Sequence, residues 1–100
     1  MTPRIVIIPT YNEIENISQI VEAVFELPMS FHVLIVDDGS PDGTAFAVKK
    51  LQQDYPEQLF LEERAGKGGL GTAYIHGFKW ALARSYDYIF EMDADFSHPV

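Results

Sequence analysis

Apolar positions along the chain follow two alternating patterns. Arg4–Pro9 is a continuous run rich in β-branched residues, short enough for a strand buried on both faces. From Ile14 the spacing changes. Ile14, Ile17, Val21, Val24 and Phe25 recur at threes and fours, which predicts an amphipathic helix ending near Pro28. Phe31–Val36 reads as a second strand, and the turn-rich Asp37-Asp38-Gly39-Ser40-Pro41-Asp42-Gly43 follows it. A second helix is expected over Thr44–Tyr55, with Val48, Leu51 and Tyr55 inward and Pro56 beyond its end. Gln58–Glu62 reads as a third strand. The glycine-rich stretch Gly66–Gly71 opens a third helix, with Leu70, Tyr74, Phe78 and Leu82 on its inward stripe. Tyr88–Met92, apolar apart from Glu91, reads as a buried fourth strand.

The order β-α-β-α-β-α-β, with no internal repeat or linker, predicts a three-layer α/β/α fold around a mostly parallel, Rossmann-like sheet. Ligands of such sheets bind beyond the carboxyl ends of the strands, where strand order reverses. Motifs that follow the first, second and fourth strands therefore converge on one edge.

Composition narrows the chemistry. Seven Lys plus Arg against fifteen Asp plus Glu leave a formal charge of −8 over 100 residues, which disfavours nucleic acid and anionic lipid as main partners. An acidic protein that handles an anionic ligand needs local basic residues or a divalent cation. With no cysteine, there is neither a disulfide framework nor a Cys-based zinc site. No segment approaches the ~20 apolar residues of a membrane span, and the start lacks a signal-peptide pattern, so a cytoplasmic protein is expected. The final residues, Asp93–Val100, read as a site loop with nothing after it, which points to a fragment.

Four motifs carry candidate chemistry. Thr10-Tyr11-Asn12-Glu13 has two readings. Thr10 and Glu13 fit a capping box, or Asn12 caps the first helix; alternatively Pro9 and Tyr11 wall a flat base while Glu13 accepts from it. In the second motif Ser40-Pro41 resembles an N-cap followed by Pro at the first helical position. That leaves Asp37-Asp38 unexplained, and a carboxylate there suits a base N–H or ribose hydroxyl. Arg64-Ala65-Gly66-Lys67-Gly68-Gly69-Leu70-Gly71-Thr72 joins basic residues, glycines and a helix start, the makings of an anion site or of a plain flexible loop. It lacks the G-K-[ST] of a P-loop. Asp93 and Asp95, just past a strand, need a counter-charge, and a hard divalent cation bridging to phosphate supplies one. His32, His76 and His98 share no zinc-ligand spacing, and Trp80, mid-helix, reads as packing.

Taken together and in order, Val6–Glu13, Val36–Ser40, Ser40–Thr44, Gly66–Tyr74, Asp93-Ala94-Asp95 and Asp95–Pro99 resemble glycosyltransferase family 2, of GT-A fold, and within it the dolichyl- or polyprenyl-phosphate mannose synthases. The resemblance covers essentially the whole chain. It implies strand order 3-2-1-4, with residues 1–100 as the nucleotide-sugar-binding N-terminal part and the acceptor half absent. The implied reaction is inverting transfer of mannose from GDP-mannose to a polyprenyl phosphate, with the full-length parent at the cytoplasmic face of a membrane.

By motif match, Pro9, Tyr11, Glu13 and the second acid of the pair, Asp38, hold the nucleoside, the first acid, Asp37, braces the turn, and Lys67 lies near phosphate. Asp93 and Asp95 coordinate Mg²⁺ or Mn²⁺. Ser97 stands where some relatives place a metal-binding Gln, a departure that leaves the third ligand open. No catalytic base is nominated, because a phosphate acceptor is already anionic at neutral pH. The isolated chain is expected to be inactive and, with its fourth strand an open edge, to self-associate. The alternatives are a family member using UDP-glucose or another donor and acceptor, a non-catalytic nucleotide-binding module, and a receiver-like signalling domain.

Overall fold

The computed structural model describes residues 4–64 and 70–92. Its elements run β1 (Arg4–Thr10), α1 (Ile17–Phe25), β2 (His32–Asp37), α2 (Thr44–Leu51), β3 (Leu59–Glu63), α3 (Leu70–Ala83) and β4 (Tyr88–Glu91). All strand pairs are parallel and the sheet order is β3-β2-β1-β4, as the resemblance implies.

Strand alternation sorts the core into two layers. Val6, Ile8, Val33 and Ile35 point to the face covered by α1 and α2, where they meet Ile17, Ile20, Val21, Val24 and Val48. Ile5, Ile7, Leu34 and Val36 point to the opposite face, which α3 covers with Ala73 and Ala81. The two inner strands are thus buried on both sides, which is why their sequences are unbroken apolar runs.

Three expectations about the elements are corrected. The first helix begins at Ile17, and Ile14 lies before it, 43% exposed. The second ends at Leu51, which packs on the core as expected, and Tyr55 does so from the turns that follow. The inward stripe of the third helix is Ala73, Gly77 and Ala81, flanked by half-buried Tyr74 and Trp80; Phe78 and Leu82 face outward. The cause is distance. A Cβ placed on Gly77 would come within 2.6 Å of Ile7 Cγ2, so α3 lies closer to β1 than a stripe of Leu and Phe would allow.

The fourth strand lies at the sheet edge, as expected, but is mostly exposed rather than buried, with Tyr88 and Phe90 largely open. Having one neighbour, it needs no covering layer to complete its ladder to β1. That ladder is matched from Arg4 to Ile7. The Ile7 carbonyl accepts from the Met92 amide at 3.0 Å and so faces β4. Two residues on, Pro9 faces the same way and has no amide hydrogen to offer, so β1 cannot continue the ladder there as donor. The switch point of the sheet lies beside it.

Candidate functional site

At the carboxyl edge the loops after β1 and β2 are sewn together. The Thr10 hydroxyl donates to Asp37 Oδ1 at 2.6 Å, and both residues are buried. Asp37 also accepts from the Ser40 amide at 2.9 Å and the Ser40 hydroxyl at 2.7 Å. Asp37 therefore braces the turn, as expected of the first acid. Three successive amides of the first loop then donate to side chains of the second: Asn12 to Ser40 Oγ (2.8 Å), Glu13 to Thr44 Oγ1 (3.0 Å) and Ile14 to Asp42 Oδ2 (3.2 Å). Asn12 reaches this position with φ +56, in the left-handed region that Asn tolerates better than most residues.

This stitching replaces both predicted caps. Thr10 and Glu13 form no capping box, because the Thr10 hydroxyl is committed to Asp37 and the Glu13 amide to Thr44. Asn16, not Asn12, occupies the N-cap of α1. Nor does Ser40 cap the second helix. Gly43 holds the N-cap with φ +93, and Asp42 Oδ1 accepts from the Thr44 amide at 3.0 Å and from its hydroxyl. Burial alone would raise the Asp42 carboxyl; bonds from the Thr44 hydroxyl and the Ile14 and Thr44 amides outweigh it and hold the group below its ordinary 3.8.

A carboxyl depressed on folding stabilises above its unfolded value, and that contribution disappears as pH falls through the lower folded value. Asp42→Asn should therefore be less stable than the wild type at neutral pH and converge with it in acid. Urea titrations at several pH values check this, and a gap that stays constant through the acid range would count against it.

Asp38 sits one residue further on, 7% exposed at the crevice mouth. Its amide donates to the Thr10 carbonyl at 3.1 Å. Arg64 grips its carboxylate with both prongs, Nε to Oδ1 at 2.6 Å and Nη2 to Oδ2 at 2.9 Å. From the sequence, Arg64 reads only as part of a candidate anion loop. Strand register was the available signal: β2 and β3 pair Asp37 with Glu63, so the next residues of each strand are neighbours. Ser40, which reads from the sequence as a helix cap, instead joins Asp42 and Thr44 in holding the two loops together.

Of the other predicted site residues, Pro9 is buried in β1, Tyr11 is exposed and Glu13 half-buried on the stitched loop. The structure thus brings Pro9, Tyr11, Glu13 and Asp38 to one edge. Lys67, Asp93, Asp95 and Ser97 lie outside the described residues, as does His98. Among the described residues, no group of three His, Asp or Glu side chains could hold a metal ion. The remaining histidines are structural: His32 Nδ1 lies 2.6 Å from the Tyr86 hydroxyl, and His76 Nε2 lies 3.0 Å from Glu62. Trp80 packs on Phe60 and under the Arg84 guanidinium.

Residues 5–100 match the family model described as Glycosyl transferase family 2. The chain belongs to this family. Polyprenol monophosphomannose synthase of Mycolicibacterium smegmatis is 49% identical over 94 residues, covering 94% of this chain and 36% of that protein. Undecaprenyl-phosphate mannosyltransferase of Micrococcus luteus is 46% identical over 93 residues, covering 92% of this chain and 37% of that one. The chain thus spans little more than a third of the length of these family 2 relatives.

Among solved structures, the mannosyltransferase PcManGT of Pyrobaculum calidifontis, in complex with GDP-Man and Mn²⁺, superposes with a TM-score of 0.77 at 30% identity, covering 95% of this chain and 28% of that one. TarS of S. aureus superposes with a TM-score of 0.79 at 26% identity, covering 94% and 28%. Membership in glycosyl transferase family 2 makes the fold that of a transferase and sets aside the receiver-like reading.

Proposed function

We propose that these residues form the nucleotide-sugar-binding part of an inverting mannosyltransferase, one that moves mannose from GDP-mannose to a polyprenyl phosphate at a membrane surface. The observation that carries the reading is the carboxyl edge of the sheet, where Tyr11, Glu13 and Asp38 follow β1 and β2 on loops that are hydrogen-bonded to each other. The mannosyl and polyprenyl parts of the proposal rest on the two relatives, whose names describe that chemistry.

In this reading Pro9 and Tyr11 offer an apolar wall to the base, and the carboxylates of Glu13 and Asp38 accept from base N–H or ribose hydroxyl groups. Lys67 places a positive charge near the diphosphate. The carboxylates of Asp93 and Asp95 and the hydroxyl of Ser97 are hard oxygen donors, a set that suits Mg²⁺ or Mn²⁺. When bound, such a cation offsets the charge that develops on the departing nucleoside diphosphate. An ionised acceptor phosphate needs no proton removed, so none of these residues is assigned as a base. Acceptor binding is assigned to the rest of a longer parent, at the cytoplasmic face of a membrane. Among the described residues no helix is long and apolar enough to cross one.

Calorimetric titration with GDP and with UDP, each with Mn²⁺ or with EDTA, tests the reading. GDP is expected to bind more tightly than UDP, weakly in this short chain, and with a Mn²⁺-dependent part that Asp95→Ala abolishes. Equal affinity with Mn²⁺ and with EDTA would remove the metal from the proposal. A preference for UDP would move the donor to the class seen with TarS, which was solved with UDP-GlcNAc.

A further inference from the structure

We propose that Arg64 is a positioning residue for nucleotide recognition, holding the Asp38 carboxylate in the orientation that meets the nucleoside and tying it to the first turn of α3. The proposal rests on the nucleotide-binding reading above and goes beyond it. None of the site motifs requires an arginine at the end of β3.

The geometry is specific. The Arg64 amide donates to the Asp37 carbonyl at 2.8 Å, so the guanidinium leaves the backbone from a point fixed by the sheet. Its fork then meets both Asp38 oxygens side-on, at 2.6 and 2.9 Å. Both side chains are largely out of solvent, Arg64 at 18% and Asp38 at 8% exposed. A pair this dry is held by its geometry, and removing one partner strands the other charge. The carboxylate has about four acceptor directions, and the fork takes one on each oxygen. Among the described residues only the Arg64 fork is seen to donate to this carboxylate, which leaves acceptor directions for a ligand's N–H or O–H. Arg64 thus fixes the plane of the carboxylate without consuming its capacity to accept.

The second contact extends the argument. Arg64 Nη2 also donates to Thr72 Oγ1 at 3.2 Å. Thr72 lies in the first turn of α3, directly after the glycine-rich stretch Gly66–Gly71. One guanidinium therefore spans the acid after β2 and the helix start beside the predicted phosphate loop. Lysine cannot reproduce this, because a single ammonium has no planar fork to set a carboxylate's orientation.

Two roles compete with positioning. As a direct phosphate ligand, Arg64 would matter for inorganic pyrophosphate as much as for GDP. As a mere structural pair, it would change stability and leave affinity alone. Titration of the whole chain with GDP and, separately, with inorganic pyrophosphate, both with Mn²⁺, discriminates between them. The variants are Arg64→Lys, Thr72→Val, Asp38→Asn and the Arg64→Lys/Asp38→Asn double variant, each first shown to be folded by circular dichroism. Arg64→Lys is expected to weaken GDP about tenfold and to leave pyrophosphate within about twofold. Thr72→Val, which keeps the ion pair and serves if Arg64→Lys does not fold, should weaken GDP by about two- to threefold.

The double variant should bind GDP no worse than Asp38→Asn alone, because Arg64 acts through that carboxylate. Equal losses for GDP and pyrophosphate, additive losses in the double variant, or unchanged GDP affinity in folded variants would each overturn the role. Absence of GDP binding in the wild-type chain would overturn the nucleotide reading itself, and this role with it, before any variant is compared.

Discussion

Asp37→Ala should lower the stability of the fold by about 3 kcal/mol, more than a typical point substitution. Asp37 is 1% exposed and accepts three hydrogen bonds, from the Thr10 hydroxyl and from the amide and hydroxyl of Ser40. Truncation leaves the buried Thr10 hydroxyl without its acceptor, and an unpaired buried donor costs about 1–3 kcal/mol. It also frees the Ser40 hydroxyl, which receives the Asn12 amide, so the disturbance spreads to the loop after β1. In a chain of this length about 3 kcal/mol corresponds to a fall in Tm of at least ~10 °C. Asp37→Asn, which keeps the shape and one acceptor oxygen, should lose roughly half as much. Thermal unfolding followed by circular dichroism reads both. A Tm within a few degrees of wild type for Asp37→Ala would show that water or neighbouring groups replace the carboxylate.

The second large effect reverses a general rule. Exchanging glycine for alanine inside a helix ordinarily stabilises by about 1 kcal/mol. At Gly77 the new methyl would sit 2.6 Å from Ile7 Cγ2 and 3.2 Å from Cδ1. Ile7 is fully buried in an inner strand, and its β-branch leaves χ1 little room to turn. Overpacking of this kind costs about 1–3 kcal/mol and outweighs the gain in helix propensity. Gly77→Ala is therefore expected to destabilise by about 1 kcal/mol and Gly77→Leu by about 3 kcal/mol or more. Ile7→Ala removes the obstructing methyl, so combining it with Gly77→Ala should cost at least about 1 kcal/mol less than the two changes added separately. A Gly77→Ala variant that melts higher than wild type would mean that the helix shifts outward without penalty.

These two residues also mark where reading the sequence succeeded and where it stopped. Alternating periods were enough to recover seven elements and a parallel sheet, because inner strands buried on both faces are unbroken apolar runs. That Asp37 braces the turn followed from the family resemblance, in which the second acid of the pair faces the ligand. The face of α3 did not follow, because counting apolar bulk selects Leu70, Tyr74, Phe78 and Leu82. Packing distance selects Ala73, Gly77 and Ala81. The loop chemistry failed for a different reason. Ser, Thr and Asp close their own helix or a neighbouring loop equally well, and only the fold decides: Thr10 found a partner 27 residues away and Ser40 one 28 away. The grip of Arg64 on Asp38 needed the register of β2 against β3, which no local pattern contains.

The sheet order has a consequence for how durable each side of the crevice is. Among the described residues β1 and β2 are bonded from both sides, whereas β4 has four residues, one partner and little cover. In hydrogen exchange, interior strands open only with the whole molecule, while a short edge opens on its own. Deuterium would therefore enter the β4 flank long before it reached the β2 flank, where Asp37, Ser40 and Arg64 hold the loops. In these residues one side of the carboxyl edge would then last as long as the fold itself, and the other would be renewed each time the edge strand lifts and settles.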